Sequence, residues 1–275
     1  MIYNFKNCSL DFSKRTFLMG ILNVTPDSFS DGSKFNSIED AVNYAIKMVD
    51  EGADIIDVGG ESTRPGSTQI SVEEELKRVL PVIEQLVKQT NVPISIDTYK
   101  SDVAELALNA GAQIVNDISG LHFDPKMASI VAKLNGSLVV MHIKGTPRTM
   151  QANLEYNNLI TEVKSYLETS INLAISGGVK QIIVDPGIGF GKTVQHNLEI
   201  IKQLRVFSDL GYPILAGPSR KSFIGKILNV GVDDRLEGTA AAVAACVMNG
   251  ASIVRVHDVR AMKRVVGLID AIYKN

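Results

Sequence analysis

The chain has 275 residues, of which 45% are hydrophobic and 21% charged, which suits one large α/β domain or two small ones with a sizeable core. Its 28 basic and 30 acidic residues leave a net charge of -2, which argues against a nucleic-acid binder driven by charge. Two cysteines, Cys8 and Cys246, cannot make a disulfide framework and fit a reducing, cytoplasmic setting.

The opening residues lack a basic patch followed by an apolar core, so no targeting segment is expected. The most apolar run, 240–248, is far shorter than the roughly 20 residues of a membrane span. Residues 2–12 read as a short hairpin covering one end of a barrel, turned at Lys6 and Asn7. A repeating unit then begins. Strands are expected at 17–23, 55–59, 94–97, 113–116, 138–142, 182–185, 213–217 and 253–257, each an apolar run with β-branched residues. Helices are expected between them. One starts at Ser37, with apolar residues at Ala41, Tyr44, Ala45, Met48 and Val49 in helical spacing. The next opens on a capping box of Ser71 and Glu74 and runs to Gln89. Others run to Asn109 before Gly111, from Asp124-Pro125, over 154–176 before Gly177-Gly178, over 195–205, from Lys221, over 234–248 and over 258–273. Strand–helix alternation without a linker indicates a single (β/α)8 TIM barrel, residues 1–275, with a short N-terminal β-hairpin; a doubly wound open sheet is the alternative.

The most informative stretch is Ile182-Ile183-Val184-Asp185-Pro186-Gly187-Ile188-Gly189-Phe190-Gly191-Lys192-Thr193. An apolar strand ends on a carboxylate and opens into a Gly-rich loop, which is how a βα-barrel delivers an acid to its site. The loop is not a phosphate-binding P-loop, because Pro186 stands where that motif needs Gly. A dinucleotide fingerprint fails too, since Lys192 takes the position of the last Gly.

Nearly every expected strand ends polar: Asn23, Asp57, Asp97, Asn116, His142, Asp185, the group after Gly217, and Arg255 with His257. Capping explains two or three such residues, not a whole ring of them. Arg255 and His257 are two apart on a strand and share a side. Two connections, 25–33 and 61–67, mix Gly and Pro with hydroxyls and charges; at a barrel mouth they read as lids. Ser219-Arg220-Lys221-Ser222 places cations and hydroxyls at a helix start, where backbone N–H groups favour an anion. Cations there oppose the helix dipole, and that cost points to a ligand bringing negative charge.

Five motifs, in order, resemble the dihydropteroate synthase family of pterin-binding enzymes over nearly the whole chain. They are Gly20-Ile21-Leu22-Asn23-Val24-Thr25-Pro26-Asp27-Ser28-Phe29-Ser30-Asp31-Gly32, the stretch from Gly52-Ala53-Asp54 through Gly60-Glu61-Ser62-Thr63-Arg64-Pro65, the Asp185 loop, Ser219-Arg220-Lys221-Ser222 and Arg255-Val256-His257-Asp258-Val259. No motif position departs from the family pattern. The resemblance implies a transferase that joins 4-aminobenzoate to (7,8-dihydropterin-6-yl)methyl diphosphate, releasing diphosphate on the route to folate, with Mg2+ as cofactor and sulfonamides as mimics of the aminobenzoate. It also implies a homodimer formed through helices near the end of the chain.

The residue roles follow from the same resemblance. Asp97, Asn116, Asp185 and Lys221 would read the pterin, with Met141 and Ile118 against its faces. Asp97, Asp185 and Lys221 would carry catalysis. Asn23, Thr63, Arg255 and His257 would take the diphosphate, with Asn23 also the Mg2+ ligand. Thr63, Arg64, Pro65, Phe190, Lys221 and Ser222 would hold the aminobenzoate. The chemistry is consistent: a buried carboxylate can accept two adjacent N–H donors, which makes Asp185 the natural pterin clamp. Rival readings are a folate-binding methyltransferase barrel, which is not expected to carry the 63–65 loop or the 219–222 segment, and a non-catalytic pterin-binding paralogue, which should have lost loop or anion-site residues.

Overall fold

The structure, a computed structural model, describes residues 1–25 and 37–274. Eight parallel strands form one sheet: β3 (Phe17–Asn23), β4 (Ile55–Gly59), β5 (Ile94–Asp97), β6 (Ile114–Asp117), β7 (Ser137–Met141), β8 (Gln181–Asp185), β9 (Leu215–Ala216) and β10 (Ile253–Val256). Sequence neighbours pair from β3 through β8, β9 pairs with β10, and β10 also pairs with β3, so the sheet curls round. The last seam, between β8 and β9, closes through the single bridge Val184–Ile214. The expected TIM barrel is therefore what the chain forms, and the open sheet is excluded.

Strand β9 is shorter than the expected 213–217. Pro213 has no N–H to give a ladder; its carbonyl instead accepts from the Val184 N–H at 3.0 Å. The carbonyl of Ile214 accepts from both Ser252 and Ile253. Closure is made by these main-chain bonds rather than by a long strand.

The strand bodies are mostly apolar because both of their faces are covered. Outside lie α1 (Ile38–Asp50), α2 (Val72–Gln89), α3 (Ser101–Ala110), α4 (Met127–Lys133), α5 (Leu159–Ser176), α6 (Val194–Lys202), α7 (Ser222–Leu228), α8 (Leu236–Met248) and α9 (Val259–Tyr273). Their apolar stripes and the outward faces of the strands make the large core. Ser37 caps α1 by accepting from Asp40 N–H, and Gly111 ends α3 in the left-handed region.

Several helix ends differ from expectation. Helix α2 has half a capping box: Ser71 accepts from Glu74 N–H, but the Glu74 carboxylate turns to Arg78. The reciprocal arrangement occurs at α6, between Thr193 and His196. Helix α5 begins at Leu159 rather than 154, because Asn158 caps it while Tyr156 leaves the axis to donate to the Gly191 carbonyl. Helix α6 stops at Lys202 and a 3-10 turn, Leu204–Leu210, follows. The segment before α8 is likewise a 3-10 turn, Val232–Asp234.

The N-terminal hairpin, β1 (Ile2–Asn4) with β2 (Ser9–Asp11), turns at Lys6 and Asn7 through a Phe5 to Cys8 bond. It plugs the N-terminal end of the barrel. Tyr3, Leu10 and Phe12 pack on Phe17, Met19, Ile55, Ile114, Val139, Ile183, Leu215 and Ile253, and the Tyr3 hydroxyl donates to the Ile182 carbonyl at 2.6 Å. Among the described residues, no helix is long and apolar enough to cross a membrane.

Candidate active site

Strand register sets the mouth of the barrel. Asn23, Gly59, Asp97 and Asn116 lie level across β3 to β6, and Met141 lies level with Asp185. Below Asn116, Asp185 and Arg255 the side chain two residues down is hydrocarbon (Ile114, Ile183 and Ile253); below Asp97 it is the buried hydroxyl of Ser95.

Arg255 organises the floor of this mouth. Its Nε donates to Asp57 at 2.6 Å and its Nη2 to Asp97 at 2.7 Å. Asn116 donates to the same Asp57 oxygen at 2.9 Å. Burial disfavours the Arg255 charge, but Asp57 and Asp97 outweigh it and hold the guanidinium above its ordinary range. Burial also pushes the Asp97 carboxyl up, against the pull of Arg255. Among the described residues, Oδ1 of Asp57 and Oδ1 of Asp97 are buried without a hydrogen-bond partner. Such groups are costly to leave unpaired and are suited to an N–H donor arriving from a ligand.

Asp185 forms the opposite wall. Its Oδ1 accepts from Gly187 N–H at 2.7 Å, and burial pushes its pKa up to about 6. Lys221 and Lys192 both draw on it electrostatically. The glycines after it are required by this closeness. Gly187, at φ 72°, carries no Cβ because one would collide with the His142 carbonyl; a Cβ on Gly189, at φ 88°, would come 2.8 Å from Lys221 Cδ. Lys221 lies with Nζ 4.1 Å from the centre of the Phe190 ring, and burial brings its pKa down to about 8. Ile118, Met141, Ile143, Met150 and Phe190 form a small apolar cluster at this level, with Tyr99 against it.

The 219–222 segment is not the open cationic patch that the sequence suggested. Arg220 is paired with Asp258 through Nε at 2.9 Å and Nη2 at 2.5 Å, and adopts φ 55°. The protein itself supplies the counter-charge, so that helix start does not by itself call for an anion. Ser219 accepts from His257 N–H at 3.2 Å and lies 3.0 Å from His257 Nδ1. Ser222 opens α7. Thr63, Arg64 and Pro65 sit on a partly exposed loop, where Gly66 N–H bonds the Pro147 carbonyl. The other expected lid, 25–33, lies outside the described residues beyond Thr25.

The comparisons agree with this geometry. A model of the pterin binding enzyme family matches residues 19–257. The dihydropteroate synthase of Synechocystis is 48% identical over 267 residues, covering 96% of this chain and 92% of its own. The chain belongs to the dihydropteroate synthase family. A crystal structure of the Clostridium difficile dihydropteroate synthase in the presence of pteroic acid shares 48% identity and a TM-score of 0.91, covering 97% of this chain and 100% of that one. The Xanthomonas albilineans dihydropteroate synthase with 4-aminobenzoic acid is 41% identical, with a TM-score of 0.89 and coverage of 96% and 94%.

Within this dihydropteroate synthase fold, two residues matter more than the sequence suggested. Asp57 was visible only as a polar strand tip; it is fully buried and anchors both Arg255 and Asn116. Lys192 stood in a loop motif with no role; it is buried, with Nζ 2.8 Å from His142 Nδ1 and donating to the Phe190 carbonyl at 3.0 Å. No local signal in the sequence announces either pairing.

Proposed function

We propose that the chain is a transferase that condenses 4-aminobenzoate with (7,8-dihydropterin-6-yl)methyl diphosphate, yielding 7,8-dihydropteroate and diphosphate for folate synthesis. The observation that carries this reading is the set of buried acceptors at the mouth, above all Asp185 and the unpartnered Oδ1 of Asp97. A pterin presents adjacent N–H donors on one edge, which such carboxylates accept. Asn116 and Lys221 complement its remaining acceptor and donor groups. Ile118 and Met141 give the flat ring apolar contact.

The aryl amine is a weak nucleophile, while diphosphate is a good leaving group. The C–O bond to diphosphate therefore breaks first or mostly first. The positive charge spreads over the pterin, and Asp97 and Asp185 stabilise it. The amine then attacks the methylene carbon through its lone pair and afterwards loses a proton to solvent, so no dedicated base is needed. Arg255 and His257 face the departing charge; Nη1 of Arg255 has no partner among the described residues, its other donors being held by Asp57 and Asp97. Thr63, Arg64, Pro65, Phe190 and Ser222 enclose the aminobenzoate and exclude water that would otherwise trap the cation.

The donor set for a metal is small. Among the described residues no group of at least 3 His, Cys, Asp or Glu side chains could hold a metal ion. Asn23 Oδ1 and Asp97 Oδ2 lie 3.6 and 3.7 Å from the point where a Cβ on Gly59 would stand, so the Asn23 amide is at the mouth beside an acid. One protein oxygen is compatible with Mg2+, which keeps several waters and takes substrate phosphates. Held by Asn23, Mg2+ would supply counter-charge to the diphosphate.

Homodimer formation through α8 and α9 is part of the proposal. Leu236, Met248, Leu268, Ile272 and Tyr273 on these helices are exposed and apolar. Light scattering should give twice the monomer mass.

The test is turnover. Purified protein with both substrates and Mg2+ should release diphosphate over repeated turnovers only when 4-aminobenzoate is present, with one dihydropteroate formed per diphosphate. Absence of release, or release indifferent to the amine, would refute the reading.

A further inference from the structure

Behind the pterin-reading groups, four titratable side chains meet in a largely buried cluster between β4, α2 and α3. Lys100 Nζ donates to Glu61 Oε2 at 2.6 Å, to Glu75 Oε2 at 2.6 Å and to the Ile70 carbonyl at 2.8 Å. Glu61 Oε2 also accepts from Ile70 N–H at 3.0 Å, and its Oε1 accepts from the Tyr99 hydroxyl at 2.5 Å. Both main-chain groups of Ile70 are thus tied to the same ion pair that holds Glu61. Glu61 and Ile70 are the two ends of the loop that carries Thr63, Arg64 and Pro65.

The attachment is firm on the barrel side. Gly60 lies so close to α2 that a Cβ there would come 2.7 Å from Val79 Cγ1, and its carbonyl accepts from Arg78 at 2.8 Å. Tyr99 reaches the other way. Its ring packs on the apolar cluster of Ile118, Met141, Ile143, Met150 and Phe190, and edge-on against Phe123 at 5.5 Å. Asp97, Tyr99 and Lys100 follow one another within a short run at the tip of β5, so one connection serves both the floor of the mouth and the base of the loop.

A buried cluster of two carboxylates and one ammonium is a poor stabiliser, because desolvation offsets much of the attraction. Its geometry is better suited to fixing position. We propose that Glu61, Tyr99, Lys100 and Glu75 form a clasp that positions the 62–69 loop, and through it the aminobenzoate half of the site. The second part rests on the proposed reaction; the first does not. The four are positioning residues: none is placed against substrate.

The experiment uses the full-length chain. Hydrogen exchange of the ligand-free protein is measured at amides 62–69, and KM is measured for each substrate. Glu61→Gln keeps the shape and removes the charge, and Tyr99→Phe removes one hydroxyl. Glu61→Gln should speed exchange in the loop and raise KM for 4-aminobenzoate by about tenfold each, the scale of one lost hydrogen bond to a charged group. Exchange in β5 and β6 and KM for the pterin diphosphate should stay within about twofold. Tyr99→Phe should act in the same direction with a smaller shift. Unchanged loop exchange in both variants overturns the clasp, as does a parallel rise in both KM values, which would mark a merely structural role. Faster loop exchange with an unmoved aminobenzoate KM overturns its link to that half-site. Wild-type protein that releases no diphosphate would instead sink the reaction, while the exchange comparison still judges the clasp.

Discussion

The same strands build two unlike ends of the barrel. Ile55, Ile114, Ile183 and Ile253 point into the lower half and pack with the hairpin residues Tyr3, Leu10 and Phe12. Two positions on, with the strand period returning each side chain to the same face, stand Asp57, Asn116, Asp185 and Arg255. One step along the axis changes the interior from hydrocarbon to charge. The lower layer contributes stability by removing apolar surface from water. The upper layer keeps buried acids and unpartnered oxygens, a poor choice for stability and a good one for gripping a polar heterocycle. Substitutions should therefore separate: those above change binding and spare the fold, and those below do the reverse.

The largest effect is expected above. Asp185→Ala removes a carboxylate whose hydrogen bonds are worth roughly 1.5–3 kcal/mol each, so pterin affinity should fall on the order of a hundredfold or more. The melting temperature should change much less than in a core truncation, because relief of the buried charge offsets the lost Gly187 bond and lysine contacts. Calorimetry of binding and of unfolding checks both, and a destabilised variant with normal affinity would erase the distinction. Ile183→Ala makes the mirror-image case. A truncation in the packed lower layer should cost about 2–5 kcal/mol in denaturant unfolding, with pterin affinity of the folded protein unchanged.

A pH series gives an intermediate effect. Burial raises the Asp185 pKa from 3.8 to about 6. The folded protein then holds a proton that the unfolded chain has released, so this group favours folding at low pH and that contribution is lost as pH rises through about 6. Pterin binding runs the other way, since N–H donors need the carboxylate. Affinity should fall by about tenfold per pH unit below the folded pKa, and Asp185→Asn should flatten that slope. A slope that survives in the variant would assign the proton elsewhere. The smallest effect belongs to the plug: Tyr3→Phe loses the bond to Ile182 and should cost about 1 kcal/mol of stability with no change in turnover.

Much of this was legible in the sequence, because strand periodicity and polar strand ends are local signals. The runs ending at Asp97, Asn116 and Asp185 announced both barrel and mouth. Pairings between distant segments were not legible. Arg255 meets Asp57 across 198 positions, Lys192 meets His142 across 50 and Arg220 meets Asp258 across 38. Nothing near Arg220 in the chain shows that its charge is already answered, so the 219–222 segment looked more cationic than it is. Lys100 and Glu61 are 39 apart, and the clasp they form becomes visible only once α2 and α3 lie side by side. The late start of α5 has a similar origin, in a tyrosine drawn to the Gly191 carbonyl.

The most direct test is a crystal structure with a pterin bound. The Asp185 carboxylate should lie about 3 Å from the N–H groups on the amino edge of the ring, with Asp97 and Asn116 on its other polar atoms. A pterin seated outside the mouth, or turned with that edge away from Asp185, would contradict the account.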